Sequence, residues 1–319
     1  MENTAIYKIT EILPASIRLS LHRLPCETLE KIAEIRLRAG NITTATVEGE
    51  NLYVTDTGLT KLPSRCVRVS AGDIDEFLYR LCGGSVYAYE DTVKRGYITR
   101  GGVRAGLCGN ALIKNGELCG FSEITGINLR IPHHIPGCAG ELVSHIASHG
   151  FPDGGGILVV SPPGVGKTTL LRDLAIGLSR DIHTKSVHAA HVYRVCVIDE
   201  RNEIYLPEYF SGCAVDVFSG LPKAAGLECA ARVMSPEIVV CDEIGSKADA
   251  QIIADAHMGG VVFIASMHGA DLSDVMAKDA IKKLCADGVF RNVYVLSRKN
   301  GKVSGKLYDL VEAKELLPC

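Results

Sequence analysis

The sequence predicts an α/β protein in two parts, a smaller α+β domain over residues 1–137 and a domain built on a parallel sheet over 138–319. Three observations lead there. Past residue 138, apolar runs such as GGILVVS and PEIVVCDE alternate with helical stretches, the pattern of parallel strands covered by helices on both faces. One of those runs passes through a glycine-rich turn, SPPGVGKTT, directly into a helix. Before residue 137 the alternation is that of half-buried strands, and HHIPG, rich in turn formers, reads as a linker.

The elements follow in order. EIRLRAG and NITTATVEGENLYV alternate apolar and polar residues as strands do, with Gly49 at a turn. AGDIDEFLYRLCGGSVYAYEDTV is helical in period: Ile74, Phe77, Leu78 and Leu81 share a face, and Asp73 with Glu76 has capping-box spacing. Gly83-Gly84 breaks it into two helices. Strand periodicity returns over residues 96–134, with hairpin turns expected at Gly101-Gly102 and Asn115-Gly116, and Pro132, Pro136 and Gly137 close the domain. Beyond it come a helix (GELVSHIASHG), a strand (GGILVVS) and a helix (KTTLLRDLAIGLS). Then follow a strand (RVCVIDE), a helix (PKAAGLECAARVM), a strand (PEIVVCDE), a helix (KADAQIIADAHMG) and a strand (GVVFIASMHG). The last element is a hairpin turning at Asn300-Gly301.

Composition narrows the function classes. With 34 basic and 37 acidic residues the net charge is −3, which offers no global attraction for nucleic acid or anionic membrane. No apolar run approaches the roughly 20 residues that cross a bilayer, and MENTAIYKIT has no signal-peptide pattern. The 12 cysteines are scattered without a C-x-x-C pair, as expected of reduced thiols in a cytoplasmic protein. Two groupings with metal-ligand chemistry, His133, His134 and Cys138, and His183, His188 and His191, lack zinc-finger spacing.

The chemistry concentrates in four places. SPPGVGKT fits the phosphate-binding pattern G-x-x-x-x-G-K-[ST] except that Ser161 stands for the first glycine. A strand, a glycine turn and a helix N-terminus together aim backbone N–H groups and a positive dipole end at a phosphate. Ser161, Pro162, Pro163, Gly164, Val165, Gly166, Lys167, Thr168 and Thr169 are therefore the candidate ATP-binding residues. Lys167 is expected at the β- and γ-phosphates and the Thr168 hydroxyl at Mg²⁺. PEIVVCDE ends in Asp242, expected to hold Mg²⁺ through water, and Glu243, able to polarise an attacking water. RVCVIDERNE ends in a second acidic group that includes Glu200, so Glu200 and Glu243 both stand as candidate bases. His268 closes GVVFIASMHG, where a polar side chain could sense the γ-phosphate.

In this order, SPPGVGKTT, IDERNE, RVMSPEIVVCDEIG and ASMHG resemble the Walker A loop, acidic box, Walker B strand and histidine box of the type II/type IV secretion ATPase superfamily, a branch of RecA-like hexameric motors. RGYITRGGVRAGLCG, ITGINLRIP and DVFSGLPKAAG extend the likeness over roughly residues 30–310, toward ATPases of endospore-forming bacteria. The resemblance implies a RecA-like P-loop motor domain and a Mg²⁺-dependent, ATP-hydrolysing homo-oligomeric ring, a hexamer. It would work peripherally at the mother-cell side of membrane-embedded sporulation channel proteins, with no direct nucleic-acid contact. It also implies that Arg104 and Arg130, on the polar faces of N-terminal strands, approach the γ-phosphate. Ser161 and the Asp242-Glu243 pair depart from the superfamily pattern. A nucleic-acid-dependent P-loop ATPase and a nucleotide-binding scaffold with little turnover are the competing readings.

Overall fold

The computed structural model describes residues 4–180, 191–299 and 302–313. The chain divides into two compact units, residues 1–133 and 134–319.

In the first unit, seven strands form one antiparallel sheet: β1 (Ile32–Arg38), β2 (Thr44–Val47), β3 (Glu50–Thr55), β4 (Gly58–Thr60), β5 (Tyr97–Arg100), β6 (Val103–Lys114) and β7 (Glu117–Arg130). Their order is β4-β3-β2-β1-β7-β6-β5. One face is apolar, carrying Ile35, Leu37, Val103, Ala105, Ile127 and Leu129, and helices pack on it. Helix Ala71–Leu81 contributes Ile74, Phe77 and Leu81. Three short helices that the sequence pattern does not announce, Thr4–Ile12, Ala15–Leu21 and Cys26–Glu30, add Ile6, Ile9, Ile17, Leu21 and Leu29. The cap of helix Ala71–Leu81 lies one turn earlier than Asp73-Glu76 suggests. Ser70 Oγ accepts from the Asp73 N–H at 3.1 Å, and the Asp73 carboxylate accepts from the Ser70 N–H at 2.7 Å. Asn115 and Gly116, at φ 53° and 80°, form the left-handed turn expected of an Asn-Gly hairpin.

The second unit holds another seven-stranded sheet, in the order β10-β9-β11-β12-β8-β13-β14. Its strands are β8 (Gly156–Ser161), β9 (Val195–Asp199), β10 (Val215–Ser219), β11 (Ile238–Cys241), β12 (Val262–His268), β13 (Phe290–Lys299) and β14 (Lys302–Asp309). All neighbours are parallel except β13 and β14. Alternate residues enter two cores: Ile157, Val159, Val197 and Val240 face one, and Leu158, Val160, Ile198 and Cys241 the other. Both faces are covered, which is why these strands read as unbroken apolar runs. Strand β10 is a half-exposed edge, and its VDVFS pattern is too short to stand out beforehand. Asn300-Gly301, the expected turn between β13 and β14, lies outside the described residues.

The units part between His133 and His134 rather than after Gly137. Asp173, on helix Lys167–Leu178, accepts the N–H groups of Gly137 at 3.0 Å and Ala139 at 2.8 Å. The His134 ring rests 4.4 Å from that of Tyr209. Most of the expected linker is thereby built into the second unit. Burial lowers the His134 pKa, with Arg172 and Arg180 adding to the effect against Asp173. His133 instead uses Nε2 against the Glu30 carbonyl at 2.9 Å. His183 and His188 lie outside the described residues, and among those described no three His, Cys, Asp or Glu side chains are placed to hold a metal.

Candidate active site

Parallel strands bring their carboxyl ends to one edge of the sheet, and the four motifs meet there. After β8 the chain turns through residues 162–166 into helix Lys167–Leu178. Gly164 and Gly166 have φ of 73° and 127°, and a Cβ on either would meet no atom within 4 Å. Conformation, not crowding, requires glycine at these two positions. Ser161 is not among the positive-φ residues, so a side chain is tolerated there. Its buried hydroxyl donates to the Pro162 carbonyl at 2.9 Å.

Lys167 is the centre of the cluster. Its buried Nζ donates to the Ser161 carbonyl at 3.2 Å and lies 2.9 Å from His268 Nδ1. An ammonium only donates, so Nδ1 accepts and the ring proton sits on Nε2. That nitrogen is 2.8 Å from Glu243 Oε1, while Arg201 holds Oε2 at 2.6 Å. Lys167, His268, Glu243 and Arg201 thus form one continuous chain. Burial lowers the Lys167 pKa against the opposing pull of Asp242 and Glu243. At Glu243 burial pushes the carboxyl up, but Arg201, His268 and Lys167 outweigh it and hold the group below the usual carboxylate range.

Asp242 follows β11. It accepts from Thr168 Oγ1 at 3.3 Å and from Ser266 Oγ, and its Oδ1 also takes the Glu243 N–H at 2.9 Å. A hydroxyl and a carboxylate side by side are hard oxygen donors of the kind Mg²⁺ takes, with waters and phosphate completing its shell. The residues present fit that ion.

The acidic box divides into two roles. Asp199 is fully buried and accepts the N–H groups of Glu203, Ile204 and Tyr205 at 2.8, 3.0 and 2.8 Å. It shapes the turn, and burial raises its pKa in spite of those three donors. Glu200 is 45% exposed, with Lys223 Nζ 3.9 Å from its Oε2. Lys223 also donates to the Glu243 carbonyl at 2.7 Å.

The model of the family described as sporulation stage III, protein AA, matches residues 4–314. The chain belongs to that family. Stage III sporulation protein AA of Bacillus subtilis (strain 168) is 33% identical over 309 residues, 95% of this chain and 94% of that one. Among solved structures, the ATPase DotB of Legionella pneumophila superposes with a TM-score of 0.60 at 17% identity, covering 92% of this chain and 81% of its own. The pilus retraction motor PilT, solved with bound ADP, gives 0.59 at 15% identity, with 89% and 81% covered. At that identity the likeness is one of fold, the RecA-like α/β architecture with an N-terminal domain before it. No helix among the described residues is long and apolar enough to cross a membrane.

Several site residues are visible only in three dimensions. Arg172, inside the P-loop helix, is fully buried, and burial lowers its guanidinium to a pKa of about 10. It donates to the Ile204 carbonyl at 2.8 Å and to that of Glu203, tying the acidic box to the P-loop helix. Its signal was the pair Arg172-Asp173 in the otherwise apolar LLRDLAIGL, a charge pair where helical period demands burial. Arg201 and Lys223 carry no comparable local signal.

Arg104 and Arg130 lie together in the first unit, directly opposite on β6 and β7. Their neighbours Val103, Ala105, Leu129 and Ile131 are buried on the other face. The Arg104 guanidinium is 4.8 Å from the Tyr97 ring centre, and Arg130 Nε is 3.5 Å from Glu34 Oε1. With Arg95, Tyr97 and Asn128 they line a cavity of about 250 Å³.

Proposed function

We propose that this chain is a Mg²⁺-dependent, ATP-hydrolysing motor of the secretion-ATPase type. It works as a ring of copies at the cytoplasmic face of a membrane-embedded channel between mother cell and forespore. The observation that carries the reading is the linked cluster Lys167–His268–Glu243, with Thr168 and Asp242 beside it. Family membership and the RecA-like fold support the biological setting.

Residues 161–169 bind ATP, the loop amides and Lys167 taking the phosphates. Thr168 and Asp242 hold Mg²⁺, which when bound neutralises charge on the phosphate oxygens. Glu243 is the base in preference to Glu200, because its carboxylate is oriented on both oxygens while Glu200 is half exposed. Each Glu243 oxygen keeps a second lone pair for an attacking water. Phosphate draws Lys167 Nζ off His268 Nδ1, and the imidazole, still linked to Glu243 Oε1, reports that change to the base. Arg104 and Arg130 stabilise the charge that develops on the γ-phosphate.

Steady-state hydrolysis by the full chain tests this. Lys167→Ala should lower turnover more than about a hundredfold, a barrier increase of about 2.7 kcal/mol. Single-stranded DNA should leave the wild-type rate unchanged. Several-fold stimulation by DNA would instead support a nucleic-acid-dependent ATPase, and absent turnover in the wild type a nucleotide-binding scaffold.

A further inference from the structure

Glu243 is held in a conformation it would not choose. Its φ is 44°, in the left-handed region where a Cβ crowds the following carbonyl oxygen. The surroundings fix both ends of its peptide. The N–H is taken by Asp242 Oδ1 at 2.9 Å and Ser266 Oγ at 3.1 Å, and the C=O receives Lys223 Nζ at 2.7 Å. Lys223 is buried to 11% side-chain exposure at the start of helix Lys223–Cys229, so its reach to that carbonyl is set by packing. The carboxylate is fixed from the opposite side, with Arg201 on Oε2 at 2.6 Å and His268 on Oε1 at 2.8 Å.

We propose that Lys223 and Arg201 are positioning residues for the base: Lys223 holds the Glu243 peptide in its left-handed turn, and Arg201 fixes the carboxylate. Neither is part of the P-loop or of the acid pair. Lys223 comes from PKAAG after the edge strand β10, and Arg201 from the acidic box after β9, so two strand ends converge on one residue of a third. The function follows from the strain. Without the hydrogen bond to its carbonyl, the peptide relaxes toward right-handed φ and swings the carboxylate away from its working direction. Without Arg201 the backbone stays in place but one carboxylate oxygen loses its anchor. Orientation of a reacting group is a rate effect, because misplacement by about 1 Å can cost on the order of a hundredfold. This inference rests on Glu243 being the base.

The test measures kcat and KM for ATP, and equilibrium ATP affinity, in the full chain. Lys223→Met, nearly isosteric, should lower kcat about tenfold, or about 1.4 kcal/mol of barrier, with KM and affinity within about twofold of wild type. Lys223→Arg, which can still donate to the carbonyl, should recover most of the rate. Arg201→Gln, at a half-exposed position where folding is not at risk, should lower kcat severalfold, and Arg201→Lys should restore part of it. Wild-type kcat in both Lys223→Met and Arg201→Gln would overturn the proposal, as would a loss appearing in KM or affinity alone. The latter would make these cations nucleotide contacts. Glu243→Gln, measured alongside, separates the two levels. If it turns over normally, the base assignment fails. If it is inactive while Lys223→Met and Arg201→Gln are normal, only the positioning role fails.

Discussion

The two sheets place their polar chemistry differently. In the second unit β8, β9 and β11 are buried along their whole length, and the candidate site residues appear where the strands end: the P-loop, the acidic box, Asp242-Glu243 and His268. In the first unit one sheet face is covered, and Arg104 and Arg130, the second residue of β6 and the last of β7, stand side by side on the other. The difference follows from coverage. A parallel sheet wrapped by helices has no free face, so a charge can sit only at its edge. An antiparallel sheet with one open face offers every second residue to a ligand.

That contrast yields two tests of unequal size. The larger concerns the open face. Directly opposed like charges destabilise a strand pair, by about 0.2–1 kcal/mol if the scale for cross-strand pairs applies. Arg104→Ala and Arg130→Ala should therefore leave thermal stability equal or slightly higher, yet lower ATP turnover at least about tenfold. Stability lost together with turnover would make the arginines structural, and unchanged turnover would make them ordinary surface residues. The smaller test concerns the strand end. Since Ser161 occupies a conformation open to any residue, Ser161→Gly should alter ATP affinity by less than about threefold, or about 0.6 kcal/mol. A gain of more than a hundredfold, read by titration with ATP, would mean that the serine impairs the loop.

The same contrast explains what was legible in the sequence. The P-loop and the Asp242-Glu243 end are local patterns, with spacing set by a tight turn and by the point where burial stops, so they can be read from the chain alone. The alternation that assigned Arg104 and Arg130 to a polar face is equally local. The three short N-terminal helices, the edge strand β10 and the Ser70 cap were not legible. Those helices are 9, 7 and 5 residues long and owe their stability to packing more than to propensity. Ser70-Asp73 and Asp73-Glu76 share one spacing, so pattern alone cannot choose between them. The roles of Arg172, Arg201 and Lys223 arise where separate strand ends meet. No sequence window contains both a cation and the group it holds.

The proposed function makes Glu243 the base of a linked cluster that hydrolyses ATP at these strand ends. Single-turnover cleavage by the full chain, with excess protein over ATP and Mg²⁺ present, tests it most directly when Glu243→Gln and Glu200→Gln are compared. Glu243→Gln should retain ATP but cleave it more than about a hundredfold slower, while Glu200→Gln should stay within about threefold of wild type. Normal cleavage by Glu243→Gln, together with loss in Glu200→Gln, would contradict it and transfer the base to the acidic box.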